Sequence, residues 1–213
     1  MTINRENVRN YLQRFDFKNL FLEEMNWSNA PGRPVTMTVE GAQYQRRPLA
    51  QLSGVMVFEI VPLGAQVGKI ADAKTRKAIY KQIQPLAHEN LLIFVDHEAA
   101  EKRTQSLWYW VKRASNQPAV GRSLELNNKE QAREHLYLKG QPGDLFLSKL
   151  DGMVIELDEL RADGSIPITE VTARLASSLD VERVTKRFYN EFSTLRIDFV
   201  NLIEGIDRES DRQ

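Results

Sequence analysis

A single carboxylate interrupts the most apolar stretch of the sequence. Glu59 lies within residues 55–61 (VMVFEIV), whose apolar and β-branched side chains predict a central strand that is buried on both faces. A carboxylate in such a strand must be paired, hydrogen-bonded or functional, because losing its hydration is costly. Two interpretations follow. Glu59 either contacts an arginine such as Arg46 or Arg47, or it is a ligand of a divalent metal ion.

A cluster of basic residues surrounds the helix that is predicted after this strand. Lys74, Lys77 and Lys81 are three and four residues apart, so they share one face of that helix. Contacts with phosphates supply much of the affinity of DNA-binding proteins, and such a face can follow a phosphate backbone. The candidate DNA contacts are Arg46, Arg47, Lys74, Arg76, Lys77 and Lys81, with Lys69 close by in the sequence. A solvated helix face explains the same charges equally well.

Aromatic and histidine side chains give weaker indications of function. Trp108 and Trp110 share one face of a predicted strand, where packing in a core is a more common role than stacking on bases. The triplet Asp96-His97-Glu98 contains metal-ligand types, but it more simply caps a helix. The sequence has no cysteine, no glycine-rich phosphate loop and no His-Glu-x-x-His motif. These absences exclude thiolate metal sites and that type of zinc protease.

Hydrophobic periodicity predicts the elements that position these residues. Apolar residues at helical spacing predict two short N-terminal helices, the second of them capped by Asp16. Strands are predicted at residues 35–40, 42–47, 55–61, 90–96, 107–111 and 120–126, and Pro48 is expected to end the second of them. Further helices should run from Asp72 to Pro85 and from a cap at Asp144. This order predicts an α/β (α+β) fold with a central mixed sheet flanked by helices.

The C-terminal part of the sequence predicts a long amphipathic helix. Charged residues, glycine and proline at residues 158–167 indicate a linker, and an apolar stripe at helical spacing then predicts a helix at residues 180–206. We therefore expect a sheet domain at residues 1–160 and a helical arm at residues 161–213. Part of the stripe, at residues 192–206, is expected to expose apolar surface that meets a partner.

Length and composition limit the remaining possibilities. A chain of 213 residues with 42% hydrophobic residues can bury one sizeable core, and its formal net charge of zero provides no global attraction to nucleic acid. No apolar run approaches the roughly 18 residues of a membrane span, and the N-terminus does not resemble a secretory signal. We expect a cytoplasmic protein that does not enter a membrane.

Four stretches resemble the N-terminal region of type IIG-like restriction-modification proteins, which carry an adenine-specific DNA methyltransferase in the same chain. They are residues 75–96 (TRKAIYKQIQPLAHENLLIFVD), 107–113 (LWYWVKR), 137–153 (YLKGQPGDLFLSKLDGM) and 179–192 (LDVERVTKRFYNEF). The resemblance implies a front-end module that associates with methyltransferase and target-recognition regions, either in a longer chain or as a separate subunit. It also implies that this chain alone has no methyltransferase activity.

The predicted order of helix, three strands, helix and strand is similar to the αβββαβ core of the PD-(D/E)xK nucleases. In that family an acid of the second core strand, an acid-x-Lys pair of the third and often a Glu of the first helix hold the metal that activates water. For this sequence the resemblance implies Glu23 or Glu24 as the helix acid and Glu59 as the third-strand acid and metal ligand. It implies Mg²⁺ as the cofactor if the chain is an active nuclease, and otherwise no cofactor. We take Glu24, Glu59 and Lys81 as the candidate catalytic residues, with Lys81 replacing the lysine of the motif.

The sequence departs from this nuclease pattern at two positions. Residues 42–47 contain no Asp, and Val61 stands where the motif has its lysine. The leading expectation is therefore a DNA-associated module of a restriction-modification or phage-defence protein, nuclease-like in fold and with an incomplete catalytic motif. The alternative is a non-catalytic interaction domain that docks a partner through its C-terminal helix.

Overall fold

The computed structural model describes residues 4–112, 131–162 and 165–179, together with residues 192, 195 and 196. The chain divides into two units, Met1–Leu179 and Asp180–Gln213. Within the second unit Phe192 and Leu195 are helical, and their side chains are 54% and 67% exposed. The strand predicted at residues 120–126 and most of the predicted long helix lie outside the described residues.

The described elements of the first unit alternate between helices and strands. The helices are α1 (Arg5–Arg14), α2 (Phe17–Asn19), which continues into a π-helical turn (Leu20–Glu24), α3 (Ala73–Ile83), α4 (Asp144–Asp151) and α5 (Ile168–Leu179). The strands are β1 (Ser28–Asn29), β2 (Val35–Val39), β3 (Ala42–Leu52), β4 (Val55–Pro62), β5 (Glu89–Val95), β6 (Gln105–Lys112) and β7 (Gln131–Leu138). Short 3₁₀ turns lie at Gly64–Gln66, Ala100–Lys102 and Leu157–Glu159.

The seven described strands form one mixed sheet. Its order is β1-β3-β4-β5-β6-β7, and β2 pairs with β3 beside β1. Strands β4 and β5 are parallel and are joined through α3, whereas every other described pair is antiparallel. The predicted fold class, a mixed sheet flanked by helices, is confirmed.

Helices cover both faces of this sheet. The face that we call the multi-helix face packs against α1, α2, the π-helical turn, α4 and α5, and it buries Val57, Val61 and Trp108. The opposite face, which we call the α3 face, packs against α3 and buries Phe58, Ile60 and other apolar side chains. Successive residues of β4 point to opposite faces, so Glu59 lies on the multi-helix face with Val57 and Val61.

The multi-helix face has an aromatic centre. Trp108 is fully buried, and its ring centroid lies 5.7 Å from those of Phe17 and Phe21 and 5.1 Å from that of Phe146. Edge-on and stacked contacts of this kind stabilise a core beyond the burial of apolar area. Trp110 is also in this core and is 5% exposed. Both tryptophans therefore have the packing role rather than a base-stacking role.

Two predictions of local structure are wrong. Strand β3 does not end at Pro48 but continues to Leu52, because a register shift between Pro48 and Ala50 accommodates a residue without an N–H donor. Helix α4 is not capped by Asp144, since Gly143 is its N-cap in the left-handed region at φ 74°.

The sequence pattern does not predict β7 as a strand. Its leucines point away from the core, with Leu136 51% and Leu138 39% exposed, while the intervening Tyr137 is buried. The leucines thus share the exposed side with Glu134, so the strand lacks the usual alternation of buried apolar and exposed polar residues.

The two ends of the first unit meet beside the multi-helix face. The side chains of Trp27 and Asn26 donate to the carbonyl oxygens of Met153 and Ile155, at 3.0 and 2.7 Å. The amide of Ile155 donates back to the carbonyl oxygen of Met25 at 3.2 Å. Helix α5 then adds buried apolar side chains to the same core, so this unit extends beyond the boundary predicted at residue 160.

Candidate functional site

Glu59 forms a buried ion pair with an arginine from a distant loop. The side chains of Glu59 and Arg103 are 7% and 4% exposed, and Arg103 Nη1 donates to Glu59 Oε1 at 2.6 Å. Arg47, directly opposite Glu59 on β3, places its Nη1 3.7 Å from Glu59 Oε2. Both carboxylate oxygens therefore face a guanidinium group, as the arginine-pairing interpretation predicts. That interpretation correctly includes Arg47, whereas it misses Arg103, which follows Glu59 by 44 positions in the sequence.

The arginine partners of Glu59 are themselves fully engaged. Arg103 also donates to the carbonyl oxygens of Phe15, His97 and Glu98, at 3.2, 2.9 and 3.1 Å. Arg47 Nη2 donates to the Glu98 carboxylate at 2.7 Å. Buried polar groups are tolerated when their hydrogen bonds are satisfied, and this network satisfies them. The arrangement is that of a structural ion cluster.

The three candidate catalytic side chains do not share one face of the sheet. Glu24 accepts a hydrogen bond from Asn7 Nδ2 at 2.9 Å, beside α1 on the multi-helix face. Lys81 is exposed on α3, which covers the α3 face, whereas Glu59 points to the multi-helix face. The sheet thus separates Lys81 from Glu59.

These residues do not fit a Mg²⁺ site. A hard cation needs several oxygen ligands that converge at a little over 2 Å, but the oxygens of Glu59 are directed at arginines. Across the part of the chain that the structure describes, no three His, Asp or Glu residues are grouped to hold a metal ion. The triplet Asp96-His97-Glu98 does not fit a metal site either. Asp96 is buried, and its carboxylate accepts hydrogen bonds from the amide and hydroxyl of Thr104.

The three arginines among the candidate DNA contacts are engaged within the fold. Arg46 lies over the ring of Phe58, with its guanidinium carbon 5.2 Å from the ring centroid, and Arg47 belongs to the Glu59 network. Arg76 is buried, and its Nη2 donates to both carboxylate oxygens of Glu134, at 2.9 and 2.8 Å. Arg46 points to the α3 face and Arg47 to the multi-helix face. The arginines thus do not form one surface with the lysines.

The three lysines of α3 do share an exposed surface, which we call the lysine face (Lys74, Lys77 and Lys81). Lys74 is 82% exposed and forms an ion pair with Glu40 at 2.8 Å. This hydrogen bond raises the pKa of Lys74, so its ammonium stays charged at neutral pH. The opposite side of α3 is buried in the core through Ile79, Tyr80 and Ile83. A fixed helix therefore presents the lysine face.

The N-terminus of α3 is fixed by Asp72. Its carboxylate accepts a hydrogen bond from the amide of Thr75 at 2.8 Å, as expected of an N-cap residue. This bond lowers the pKa of Asp72, and the nearby Arg76 contributes in the same direction. The helix start predicted at Asp72 is correct.

A second polar arrangement, not predicted from the sequence, pairs Lys149 of α4 with His135 of β7. Lys149 Nζ lies 2.7 Å from His135 Nδ1, and His135 Nε2 lies 2.7 Å from the carbonyl oxygen of Leu179. A carbonyl only accepts, so Nε2 carries the imidazole proton and Nδ1 accepts from the ammonium. Burial lowers the pKa of Lys149, and burial together with the Lys149 charge lowers the pKa of His135.

This pair lines a cavity of about 500 Å³. Tyr137 and Phe146 form an aromatic wall, and Pro142 and Gly143 border it at the N-terminus of α4. Sequence reasoning misses the site because β7 is not recognised as a strand and α4 follows it only after a loop. A lone histidine and a lone lysine give no spacing signal.

Comparisons with models of protein families, with curated proteins and with solved structures give no significant match. The class that the fold defines is a mixed α/β protein. Among the described residues no helix is long and apolar enough to cross a membrane.

Proposed function

We propose that this chain is a DNA-associated module of a restriction-modification or phage-defence protein, and that it contacts duplex DNA through the lysine face of α3. The observation that carries this proposal is the geometry of that face. Three exposed ammonium groups follow one side of a helix whose other side is buried in the core. Their positions are therefore set before DNA binds, which lowers the entropic cost of contacting phosphates.

Electrostatics also supports a local contact. The chain has no net charge, so attraction to DNA must come from a cationic patch. The ion pair between Lys74 and Glu40 is exposed, and such pairs contribute only about 0–1 kcal/mol, so a phosphate can replace Glu40 at small cost. The exposed Lys69, just before α3, adds another positive charge close in sequence.

In this proposal the module binds DNA without cutting it at Glu24, Glu59 and Lys81. The engaged carboxylate of Glu59 and the placement of Lys81 across the sheet support that view. Methylation and target recognition would belong to regions in a longer chain or in a separate subunit, and the complex would act in the cytoplasm. Cleavage of duplex DNA by the purified chain with Mg²⁺ or Mn²⁺ that is lost in Glu59→Gln would contradict the non-cutting part of the proposal.

The test is duplex binding by a variant without the lysine face. Fluorescence anisotropy on a labelled duplex, measured over a series of salt concentrations, should show weaker binding for Lys74→Ala/Lys77→Ala/Lys81→Ala. The slope of log K against log [salt] should fall by about two to three units, because each lost phosphate contact removes about 0.9 units. Glu40→Gln should strengthen binding, since it removes a negative charge next to Lys74.

A matched control removes exposed lysines elsewhere. Lys18 follows the start of α2 and Lys102 lies in a 3₁₀ turn, and both are exposed. Lys18→Ala/Lys102→Ala should leave the salt slope unchanged. A triple variant that keeps the slope of the native chain, or a control that loses as much as the triple variant, would reject the lysine face as the DNA contact.

The alternative function, an interaction domain that docks a protein partner, is favoured by a different observation. Phe192 and Leu195 are three residues apart on helical backbone, and both side chains are more than half exposed. Exposed apolar residues at this spacing are typical of a helix that binds in a groove. Leu195→Glu should abolish association with a protein partner if this function is the correct one, and should leave duplex binding unchanged.

A further inference from the structure

We propose that the cavity between β7 and α4 binds a small organic anion, with Lys149 as the counter-ion of its carboxylate or phosphate group and Tyr137 and Phe146 as the wall for its apolar body. This inference is independent of the proposed DNA contact.

The first support is the state of the Lys149 ammonium. An ammonium has three donors, and one of them is directed at His135 Nδ1 at 2.7 Å. In the part of the chain that the structure describes, no carboxylate forms an ion pair with Lys149. A partly buried cation without a counter-charge is costly, and an anion in the cavity would remove that cost. The lowered pKa of Lys149 agrees with this description, because only burial contributes to it.

The second support is that the carboxylate of Glu134 is turned away from the cavity, to the face of the sheet that α3 covers. Glu134 lines the same cavity but is bound by Arg76 Nη2 through both of its oxygens. Its charge is therefore already compensated by a guanidinium. Among the described side chains that line the cavity, Lys149 therefore provides the charge without a counter-ion.

The third support is that the histidine is fixed as an acceptor. Because the carbonyl oxygen of Leu179 accepts from Nε2, His135 cannot turn its N–H towards Lys149 without losing this bond. His135 thus orients the ammonium from one side and leaves two N–H donors for a ligand. A carboxylate or phosphate group accepts two such bonds readily, and charge-assisted bonds of this kind are the strong ones.

The size and walls of the cavity indicate an organic ligand. A volume of about 500 Å³ is within the usual range for small-molecule sites, roughly 300–1,000 Å³. The rings of Tyr137 and Phe146 meet edge-on with centroids 5.9 Å apart and provide an aromatic surface close to Lys149. His135 and Tyr137 alternate with Glu134 and Leu136 along β7, and Tyr137 belongs to the multi-helix core. The site therefore faces away from α3 and its lysine face.

The test uses the full chain and four simple probes. Benzoate and phenyl phosphate carry the anionic group on an apolar ring, benzamide is a neutral match of benzoate, and inorganic phosphate lacks the ring. Isothermal titration should detect both aromatic anions, with benzamide and inorganic phosphate weaker by about tenfold or more. Lys149→Met should weaken binding of both aromatic anions by about tenfold or more, while Lys149→Arg retains most of it. The lysine-face triple variant should bind phenyl phosphate like the native chain.

A second measurement does not depend on variants. NMR of ¹³C-labelled lysine should show that benzoate raises the pKa of Lys149 and leaves that of Lys74 unchanged. The proposal is overturned if neither aromatic anion binds, or if Lys149→Met binds them as tightly as the native chain. Equal affinity for benzoate and benzamide would reject Lys149 as the counter-ion, and equal affinity for the two phosphates would reject an organic ligand.

Discussion

Arg103 connects three parts of the chain through one guanidinium group. It contacts the α1–α2 junction at Phe15, the central strand at Glu59 and the loop after β5 at His97 and Glu98. A buried ion pair adds little net stability compared with apolar residues of the same size, because both charges lose their hydration. Removing only one partner is different, since it leaves the other charge uncompensated. The pair therefore acts mainly by fixing how these segments meet.

Replacement of Arg103 should therefore destabilise the fold strongly. We expect Arg103→Met to lower the free energy of unfolding by about 3 kcal/mol or more, since Glu59 and several carbonyl groups lose their donor. Glu59→Gln should cost less, because the amide oxygen still accepts from Arg103. Urea denaturation followed by circular dichroism measures both effects.

The double variant Glu59→Met/Arg103→Met provides the control for this pair. It should be less destabilised than Arg103→Met alone, because no unpaired charge remains. A single Arg103 variant that unfolds within about 0.5 kcal/mol of the native chain would contradict the structural role of the pair.

At the scale of elements, α3 is the part of the fold whose sequence and structure agree best. Asp72 caps it, apolar residues at helical spacing bury one side, and the lysines occupy the other. Each local preference supports the same helix, which is typical of well-specified elements. Because α3 also joins the parallel strands β4 and β5, a change at its N-terminus should affect stability as well as the position of the lysine face.

The cap of α3 should make stability depend on pH. The pKa of Asp72 is lowered in the folded chain from an ordinary value of about 3.9. A lowered folded-state pKa adds stability that is present above the unfolded-state pKa and lost as the pH falls through the folded-state pKa. The urea midpoint of Asp72→Ala should thus lie below that of the native chain at pH 7, with the difference shrinking below about pH 4.

Asp72→Asn separates the hydrogen bond of the cap from its charge. Asparagine also caps helices well, so this variant should keep most of the stability at pH 7. Its difference from the native chain should vanish at low pH, where Asp72 is protonated. A difference between native chain and Asp72→Ala that stays constant from pH 7 to pH 3 would show that the Asp72 charge has no such role.

The elements that could be predicted from the sequence are those with strong local signals. Buried strands β4 and β5 and helices α1 and α3 are continuous apolar runs or clear amphipathic patterns. Strand β7 exposes its leucines, so only the pairing with β6 identifies it. For the same reason the Lys149–His135 pair was not predictable. One of the two arginine partners of Glu59 is predictable, because Arg47 is near Glu59 in the sequence. The other, Arg103, is brought to Glu59 by the tertiary structure.

For the whole molecule, α5 decides where the first unit ends. Its Val171, Leu175 and Leu179 are each 1% exposed and pack in the multi-helix core. The predicted boundary at residue 160 would remove all three. Full burial of a Val or Leu side chain contributes roughly 1.5–3 kcal/mol, so their loss approaches the total stability of a typical domain, about 5–15 kcal/mol.

Truncation at two positions tests this boundary. A chain ending at residue 183, beyond Leu179, should unfold cooperatively in urea and retain its near-ultraviolet circular dichroism. A chain ending at residue 160 should lack a cooperative transition, because the multi-helix core is open. The reverse result, a cooperative shorter chain with native spectra, would place the boundary where the sequence predicts it.

The hydrogen bonds between residues 25–27 and residues 153–155 also have a consequence during synthesis. The N-terminal aromatic side chains leave the ribosome long before α4 and α5 exist to cover them. Until then Trp27 belongs to a nascent chain in which its hydrogen-bond partner, Met153, lies 126 residues ahead. Such segments are where aggregation competes with folding, and chaperones commonly bind them. A ribosome stalled after β6 would therefore carry a chain whose N-terminal aromatic side chains are still exposed, because α4 and α5 have not yet been synthesised.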